Sequence, residues 1–152
     1  MADPILGVNA KLYRNTATWA SPSWDEITNV RDLTLNCEKG EADVTVRGGN
    51  GWRQTVGTLK DGSLEFSMVW DNSDADFTAI KNAFFNDTSI ELLALDGSAT
   101  PASGVTVQGL HADFAVTNFT RNEGLEEALT VDVTLKPTYS SNAPEWYSDT
   151  GT

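Results

Sequence analysis

The sequence predicts a mainly β protein, either a β-sandwich or a flattened barrel with one flanking α-helix. Apolar and polar residues alternate in several separate segments, which is typical of half-buried strands. Only residues 73–85 change to helical spacing. At 152 residues the chain has the size of one domain. We expect residues 1–137 to form a single β domain and residues 138–152 a C-terminal arm.

The strand predictions follow this alternation in chain order. Leu33, Leu35 and Cys37 alternate with polar residues, residues 38–41 are predicted as a hairpin turn, and residues 42–46 as the returning strand. The other predicted strands are residues 6–13, 55–60, 64–70, 90–95, 105–120 and 129–135.

Three single residues carry further local predictions. Phe119 breaks the alternation of its strand, which indicates a bulge near Asn118. Pro137 is expected to end the last predicted strand. Cys37 is the only cysteine, so it has no disulfide partner in the chain and is predicted to be a small core residue.

The predicted helix begins at a candidate capping box. Ser73 and Asp76 have the spacing of such a box, and the acids at 74 and 76 would complement the positive end of the helix. Three apolar residues then share one helical face: Phe77, Ile80 and Phe84. The segment therefore predicts an amphipathic helix packed on a sheet.

Charge and hydropathy exclude two classes of protein. There are 22 acidic and 10 basic residues, which gives a net charge of -12. Tight nucleic-acid binders carry the opposite sign. No segment approaches the roughly 20 apolar residues of a membrane span, and residues 1–4 lack the features of a signal peptide. We expect a soluble protein that is made in a cytoplasm.

No pattern indicates catalysis. His111 is the only histidine, lies at a polar position of a predicted strand and is expected to be solvated. Glu126 and Glu127 lack the context of a carboxylate-pair enzyme. The glycine-rich residues 48–51 lack a following GK[ST] motif, so a hairpin tip or an assembly arm is favoured over a phosphate site. We therefore predict no catalytic residue and no cofactor.

An acidic cluster leaves one question of metal binding open. Asp71, Asp74 and Asp76 could together hold a calcium ion, but the glycine and terminal glutamate of a calcium loop are absent. Helix capping explains these acids better, and we predict no metal site.

Several segments resemble the tail tube proteins of long-tailed bacteriophages. They are WDEITNVRDLTL at residues 24–35, EKGEADVTVR at 38–47, GWR at 51–53, residues 59–70, the helix at 76–85, and FTRNEGLEEA at 119–128 with the strand that follows. The resemblance covers about residues 5–137. It implies a tail-tube-like fold, no catalytic activity and a place in the virion tail. It also implies hexameric rings stacked into a hollow tube for the genome, with tape-measure, tail terminator and baseplate proteins as partners.

The resemblance gives the polar side of the sheet a role. A strand of an inner barrel is apolar toward the subunit core and polar toward the lumen. Acids on the lumen wall would repel DNA phosphates and prevent adhesion. The alternative is an ordinary solvated sheet face. The lumen-facing candidates are Asp32, Thr34, Asn36, Asp43, Thr45, Glu65, Ser67, Thr130, Asp132 and Thr134.

Assembly also requires surfaces that join subunits, because an exposed strand edge is a template for another chain. We expect the N-terminal strand, the glycine-rich loop at residues 47–53 and the C-terminal arm at residues 139–152 to take part, with Trp52 as a buried anchor. The ring and stacking candidates are Arg47, Gly48, Gly49, Asn50, Gly51, Trp52, Arg53, Trp146 and Tyr147.

Two other functions stay open. Sugars stack on exposed tryptophans, and Trp19, Trp24, Trp52 and Trp146 lie in predicted loops, as in a carbohydrate-binding module. The effector-delivery tube of a secretion system is the other alternative, because it shares the fold that the resemblance implies.

Overall fold

Across residues 4–152, an antiparallel sheet of eight strands and one α-helix form the framework of the protein. The computed structural model describes residues 4–152, so the signal-peptide prediction for residues 1–4 lies largely outside the described residues. The elements are β1 (Lys11–Asn15), β2 (Trp24–Glu26), β3 (Val30–Asp43), β4 (Thr55–Val69), α1 (Ala75–Phe85), β5 (Ile90–Leu95), β6 (Thr106–Asn122), β7 (Thr130–Pro137) and β8 (Glu145–Thr150). The prediction of a mainly β fold with one flanking helix is confirmed. Within residues 4–152 no helix is long and apolar enough to cross a membrane.

The long strand β6 joins the two halves of the sheet. The strand order is β2-β1-β5-β6-β7-β4-β3, and β8 also pairs with β6. The register shifts between Val116 and Asn118, which confirms the predicted bulge. Because of the extra residue, Leu110 and Phe114 before the bulge and Phe119 after it all contact the same core.

The main core lies between one face of the sheet and α1. Leu64, Leu92, Phe114 and Leu135 of the sheet have no exposed surface. The helix contributes Phe77, Ile80 and Ala83 to this core, whereas Phe84 is only partly buried. Each fully buried side chain of this size stabilises the fold by about 1.5–3 kcal/mol. The helix therefore covers one side of the sheet as predicted.

The helix begins one residue later than a Ser73 cap would place it. Asp74 is the N-cap, and its side chain accepts a hydrogen bond from the backbone N–H of Asp76. Ser73 instead donates its hydroxyl and its backbone N–H to Asp71 Oδ1, at 2.6 and 2.9 Å. These bonds hold the pKa of Asp71 below its ordinary value. Two carboxylates of the acidic cluster, those of Asp71 and Asp74, thus bind local donors.

The predicted turn at residues 38–41 is wrong. β3 runs through it without a break and pairs with β4 from Val30 to Asp43. Gly40 lies at a register shift, where a Cβ atom would be only 2.6 Å from Thr58 Oγ1. The glycine thus serves a bulge inside a ribbon, and the chain reverses only at residues 44–54.

Both ends of the chain also differ from the predictions. A short 3₁₀ turn at Gly7–Asn9 replaces the first half of the predicted strand 6–13. At the other end, β8 lies within the predicted arm 138–152 and pairs with β6 from Thr106 to His111. Its alternation is too polar to have indicated a strand.

Gly109→Ala is expected to lower the free energy of unfolding by about 2–3 kcal/mol. A Cβ atom at Gly109 would lie 1.6 Å from the carbonyl oxygen of Ala94, so the backbones of β5 and β6 would have to separate. Gly7→Ala is the control, because no atom of the described residues 4–152 lies within 4 Å of a Cβ at that position. Urea denaturation measures both, and equal losses would contradict the prediction.

Asp76 pairs with Arg14 beneath the start of α1. Arg14 Nε donates to Asp76 Oδ1 at 2.6 Å, and the carboxyl is nearly fully buried. Burial raises the pKa of Asp76 to about 6; Arg14 opposes this rise, and the nearby Asp25 adds to it. This pair ties α1 to strand β1 of the sheet.

The Asp76 carboxyl is expected to make stability depend on pH. Its pKa is higher in the folded protein than the value of about 4 in the unfolded chain, so its contribution is complete below about pH 4 and is lost as pH rises through about 6. The free energy of unfolding of the wild type, relative to that of Asp76→Asn, should fall by about 1–3 kcal/mol over that window. Urea denaturation of both proteins across the window measures this, and a constant difference would refute it.

Candidate functional site: a polar sheet face and a protruding hairpin

A continuous polar face lies opposite the core on β3, β4 and β7. Strand register places Thr34, Glu65 and Thr134 in one row, and Ser67 opposite Asp132 in the next. The residues that alternate with them, such as Phe66 and Val133, are buried. The structure therefore brings seven predicted lumen candidates together: Thr34, Asn36, Glu65, Ser67, Thr130, Asp132 and Thr134.

The second half of β6 extends this face with residues that we did not predict. Asn118, Thr120 and Asn122 lie opposite Thr134, Asp132 and Thr130. The amide of Asn122 donates to Asp132 Oδ2 at 2.8 Å. The bulge predicted near Asn118 was the signal that could have found them, because it moves the even-numbered residues of β6 to the polar side.

The charges of the polar face are mixed, with an excess of acids. Glu38 pairs across the strands with Asp61, in the same alternation as Glu65. Lys136 lines the same shallow depression as these acids, and Arg31 lies opposite Ser67. With Asp132, the face carries four carboxylates against two basic groups. The acid excess comes from Glu38 and Asp61, which lie where β3 and β4 leave the rest of the sheet.

Three predicted lumen residues lie elsewhere. Asp32 occupies the extra position of a bulge in β3 with a φ of 45°, and it lines a groove beside the 3₁₀ turn. The Asp43 carboxylate accepts hydrogen bonds from the backbone N–H and the hydroxyl of Thr45, which lower its pKa. Because β3 continues without a break and its side chains alternate, Asp43 lies on the same side of the strand as Leu35 and not on the side of Thr34. Asp43 and Thr45 shape the hairpin tip.

Beyond the core, β3 and β4 continue as a two-stranded hairpin that we call the arm, residues 36–61. Every residue of the arm is exposed except Gly49, which is half-buried. β4 pairs with β7 only from Leu64 onward, so within the described part of the chain no third strand supports the arm. Cys37, predicted to lie in the core, is exposed because it stands where the arm leaves the body.

The tip of the arm contains the predicted glycine-rich loop. Arg47–Gly49 form a 3₁₀ turn, and the left-handed residues Asn50 (φ 55°) and Gly51 (φ 83°) reverse the chain. Gln54 donates its backbone N–H to Thr45 Oγ1 at 2.9 Å across the base of the tip. Asparagine and glycine tolerate this conformation, which accounts for the composition of the loop.

The surface of the arm is unusually apolar and has no net charge. Its basic and acidic side chains number four each, so the whole net charge of -12 lies on the rest of the chain. Large apolar side chains stand in solvent, and Trp52 is 76% exposed. The exposed apolar residues of the arm are Val44, Val46, Trp52, Val56 and Leu59.

The outer edge of β3, at one end of the sheet, is a second exposed feature. Among the described strands, β3 pairs only with β4, so its outer edge is open. A groove of about 670 Å³ separates this edge from the 3₁₀ turn, β1 and β2. Leu12, Ile27, Val30 and Leu33 contribute apolar surface to the groove.

Of the four tryptophans that were predicted to lie in loops, two pack against another side chain of the protein. Trp19 stacks on His111 with ring centroids 3.8 Å apart, and Trp24 meets the same ring edge-on. Trp52 and Trp146 are exposed, one in the arm tip and the other in β8. The predicted carbohydrate-stacking residues therefore form no common platform.

The predicted solvation of His111 is wrong. Its ring is 3% exposed and lies between Glu91 and Glu145. His111 does lie at a polar position of its strand, as predicted, but the segment around Trp19 and the strand β8 cover this part of the sheet.

A protruding apolar hairpin together with an open strand edge is typical of a subunit that other chains cover, because both features are liabilities in a lone protein. The chain belongs to the phage tail tube protein family, whose model matches residues 9–138. This family is structural and non-enzymatic. The chain is accordingly a structural subunit of a tail tube and a component of the virion tail.

Solved structures show the same tail-tube-like fold. The tail of an empty gene transfer agent (GTA) particle, computed with C6 symmetry, aligns with a TM-score of 0.67 and 16% identity over 93% of this chain and 98% of that chain. The SPP1 tail tube aligns with a TM-score of 0.69 and 16% identity, over 97% and 81%. The anti-feeding prophage baseplate aligns with a TM-score of 0.61 and 11% identity, over 99% and 98%. None of the curated proteins matches the sequence.

Proposed function

We propose that the protein forms hexameric rings that stack into a tube, and that the polar sheet face lines a lumen through which DNA passes without adhering. The main support for this proposal is the exposed apolar arm. A two-stranded hairpin is marginally stable in water by itself. Burial of the apolar side chains of the arm against another copy would stabilise it.

The charge distribution supports a contact between the arm and another subunit. Bodies that each carry the whole net charge of -12 repel one another. The neutral arm extends roughly 25 Å from the body at the usual rise per strand residue. Arg47 and Arg53 flank the tip of the arm, so the tip can approach an acidic neighbouring subunit without electrostatic repulsion. Trp52 is the anchor of this contact.

The open edge of β3 supplies a second contact. A strand from a neighbouring copy could continue the sheet there, which would satisfy the free backbone groups and cover the groove beside β1. The C6 symmetry of the related GTA tail supports six copies per ring. The exposed residue Val8 lines this groove and is a candidate for the same interface, as are the exposed residues Ile5 and Leu6 that precede it in the chain.

The polar face is suited to line a lumen. Its hydroxyl, amide and carboxylate groups hold water, and its acid excess repels phosphates at short range. In the proposed tube, Thr34, Asn36, Glu65, Ser67, Thr130, Asp132 and Thr134 face the channel, together with Asn118, Thr120 and Asn122. Tape-measure, tail terminator and baseplate proteins are the further partners that this role requires.

Shortening the arm tests the assembly proposal. Asp43 pairs with Thr55, so residues 44–54 can be replaced by Asn-Gly, which favours a two-residue hairpin turn. The variant is expected to keep the wild-type circular dichroism spectrum and to remain monomeric, because it has lost Trp52 and the arginines. Electron microscopy of concentrated protein scores tube formation. Tubes formed by the variant at wild-type concentrations would refute a role for the arm tip.

Charge reversal tests the lumen assignment. Glu65→Lys with Asp132→Lys should leave tube assembly intact and increase retention of short duplex DNA about tenfold at low salt, with the excess lost as salt rises. Glu126→Lys with Glu127→Lys is the control of equal charge in the exposed β6–β7 loop. Co-sedimentation with assembled tubes measures retention. Equal retention by the control would contradict the assignment, and loss of tubes would place Glu65 and Asp132 at an interface.

A further inference from the structure

A cleft with apolar walls lies where the arm leaves the body of the protein. It consists of two hollows that share the side chain of Trp146, one of about 530 Å³ at the base of the arm and one of about 440 Å³ between β3, β5 and β6. Three of its leucines, Leu33, Leu35 and Leu110, also pack against the main core, so the core reaches the surface here. The leucine, proline and tryptophan side chains that are at least partly exposed in the cleft are Leu33, Leu35, Leu110, Pro137, Pro144 and Trp146.

The ring of Trp146 is held in place although it is 58% exposed. Its Nε1 donates to Gln108 Oε1 at 2.9 Å, and its backbone pairs with Leu110 of β6. A wall that is fixed before binding loses little conformational freedom when a partner covers it. Tryptophan is also enriched among the residues that dominate the binding energy of protein interfaces. The cleft is therefore a preformed receptor for an apolar group.

The charges that line the cleft are complementary to those of the arm tip. The tip, residues 46–53, contains two arginines and no acid. The cleft has four acids against two lysines, a formal excess of two negative charges. Opposite charges on two surfaces favour their encounter and fix the orientation of the contact. The charged residues that line the cleft are Glu38, Asp61, Asp96, Glu145, Lys39 and Lys60.

The arm of the same chain cannot fill its own cleft. The backbone pairing of β3 with β4 continues to Asp43 and Thr55 and holds the arm extended, so its tip lies roughly 25 Å from its base. That base, residues 37–39 and 60–62, is itself part of the cleft wall. A tip that enters the cleft must therefore belong to another copy.

Trp52 has the exposure and the size to enter the cleft. It is 76% exposed, and its backbone N–H donates to the carbonyl oxygen of Gly49 at 3.1 Å, so the turn presents the ring at a fixed place. A tryptophan buries about 150–250 Å² when it is covered, and its ring packs well against another aromatic ring in an offset or edge-to-face arrangement. The larger hollow, at about 530 Å³, has the volume of a pocket that encloses an organic group of this kind.

We propose that the cleft around Trp146 is the receptor for the arm tip of a second copy, with Trp52 packed against Trp146. Arg47 and Arg53 then face the acids that line the cleft. The inference rests on the proposed assembly through the arm and adds the surface that receives it. Because tip and cleft are different surfaces of one chain, each copy gives its tip to one neighbour and receives the tip of another. Contacts of this type generate rings when the rotation closes.

Cross-linking tests the contact, because the only cysteine of the chain, Cys37, is exposed and lines the cleft. Arg53→Cys places a second thiol beside Trp52, and a short bis-maleimide is added to the concentrated protein. We expect covalent dimers and larger oligomers on a denaturing gel, with peptides joined between positions 37 and 53 in the mass spectrum. The wild type and Arg53→Cys combined with Cys37→Ser each have one thiol and should stay monomeric.

The two tryptophans are tested in the same assay. Trp52→Ala or Trp146→Ala, each added to Arg53→Cys, should lower the yield of the link at least about tenfold, since each removes one side of the contact. Tyr139→Ala is the matched control, because it removes an exposed aromatic ring outside the cleft and should leave the yield unchanged. Leu6→Cys in place of Arg53→Cys tests whether the N-terminal segment of another copy fills the cleft instead.

The outcomes separate this inference from the proposed tube. Tubes that form without a link between positions 37 and 53 would overturn the inference and leave the tube standing. The link in protein that forms no tubes would support the inference and count against the tube. A yield that is unchanged in Trp52→Ala, or oligomers from Leu6→Cys but not from Arg53→Cys, would also overturn the inference.

Discussion

The rest of the structure depends on the pairing of one long strand, β6, with three neighbours at once. β6 holds β5 along one edge and both β8 and β7 along the other, and the bulge beside Asn118 separates these two regions. A regular strand would turn Phe119 away from the core, because a shift of one residue exchanges the faces of a sheet. The bulge keeps one continuous core beneath α1 and gives each half of the sheet a different outer face.

Those two outer faces have opposite physical characters. Beside β1 and β5, the outer face is covered: Tyr13, Leu93, Leu95 and Val107 form a second apolar cluster that the aromatic residues and His111 enclose. Beside β4 and β7, the outer face is polar and open. In the proposed tube both surfaces have a use, since one part of the sheet is closed by its own chain and the other would face the water of the lumen. The close approach of Gly109 to Ala94 lies within the covered region, where β6 pairs with both β5 and β8.

The arm shows how far a subunit can depart from the rules for a stable monomer. Its strands lack a third partner, its apolar residues stand in water, and Lys39 lies directly opposite Lys60. Like charges in that position are unfavourable. Each feature is a cost in isolation, and each becomes useful if another subunit covers the ribbon. Proteins manage exposed strands by covering them, and a tube of identical subunits would do so by repetition.

The amino-acid sequence alone determined the features that depend on local periodicity and charge. The alternation at residues 64–70 and 129–135, the helix that follows Asp74, the bulge near Asn118 and the acidic balance all follow from near neighbours in the chain. Tertiary structure decided the rest. Glu38 to Glu41 have the composition of a turn, yet pairing with β4 keeps them in a strand; Cys37 alternates like a core residue, yet no layer covers it. His111 has a polar position, yet β8 and Trp19 bury it. Alternation shows which side chains share a face, but burial depends on what packs over that face, and distant segments of the chain supply this.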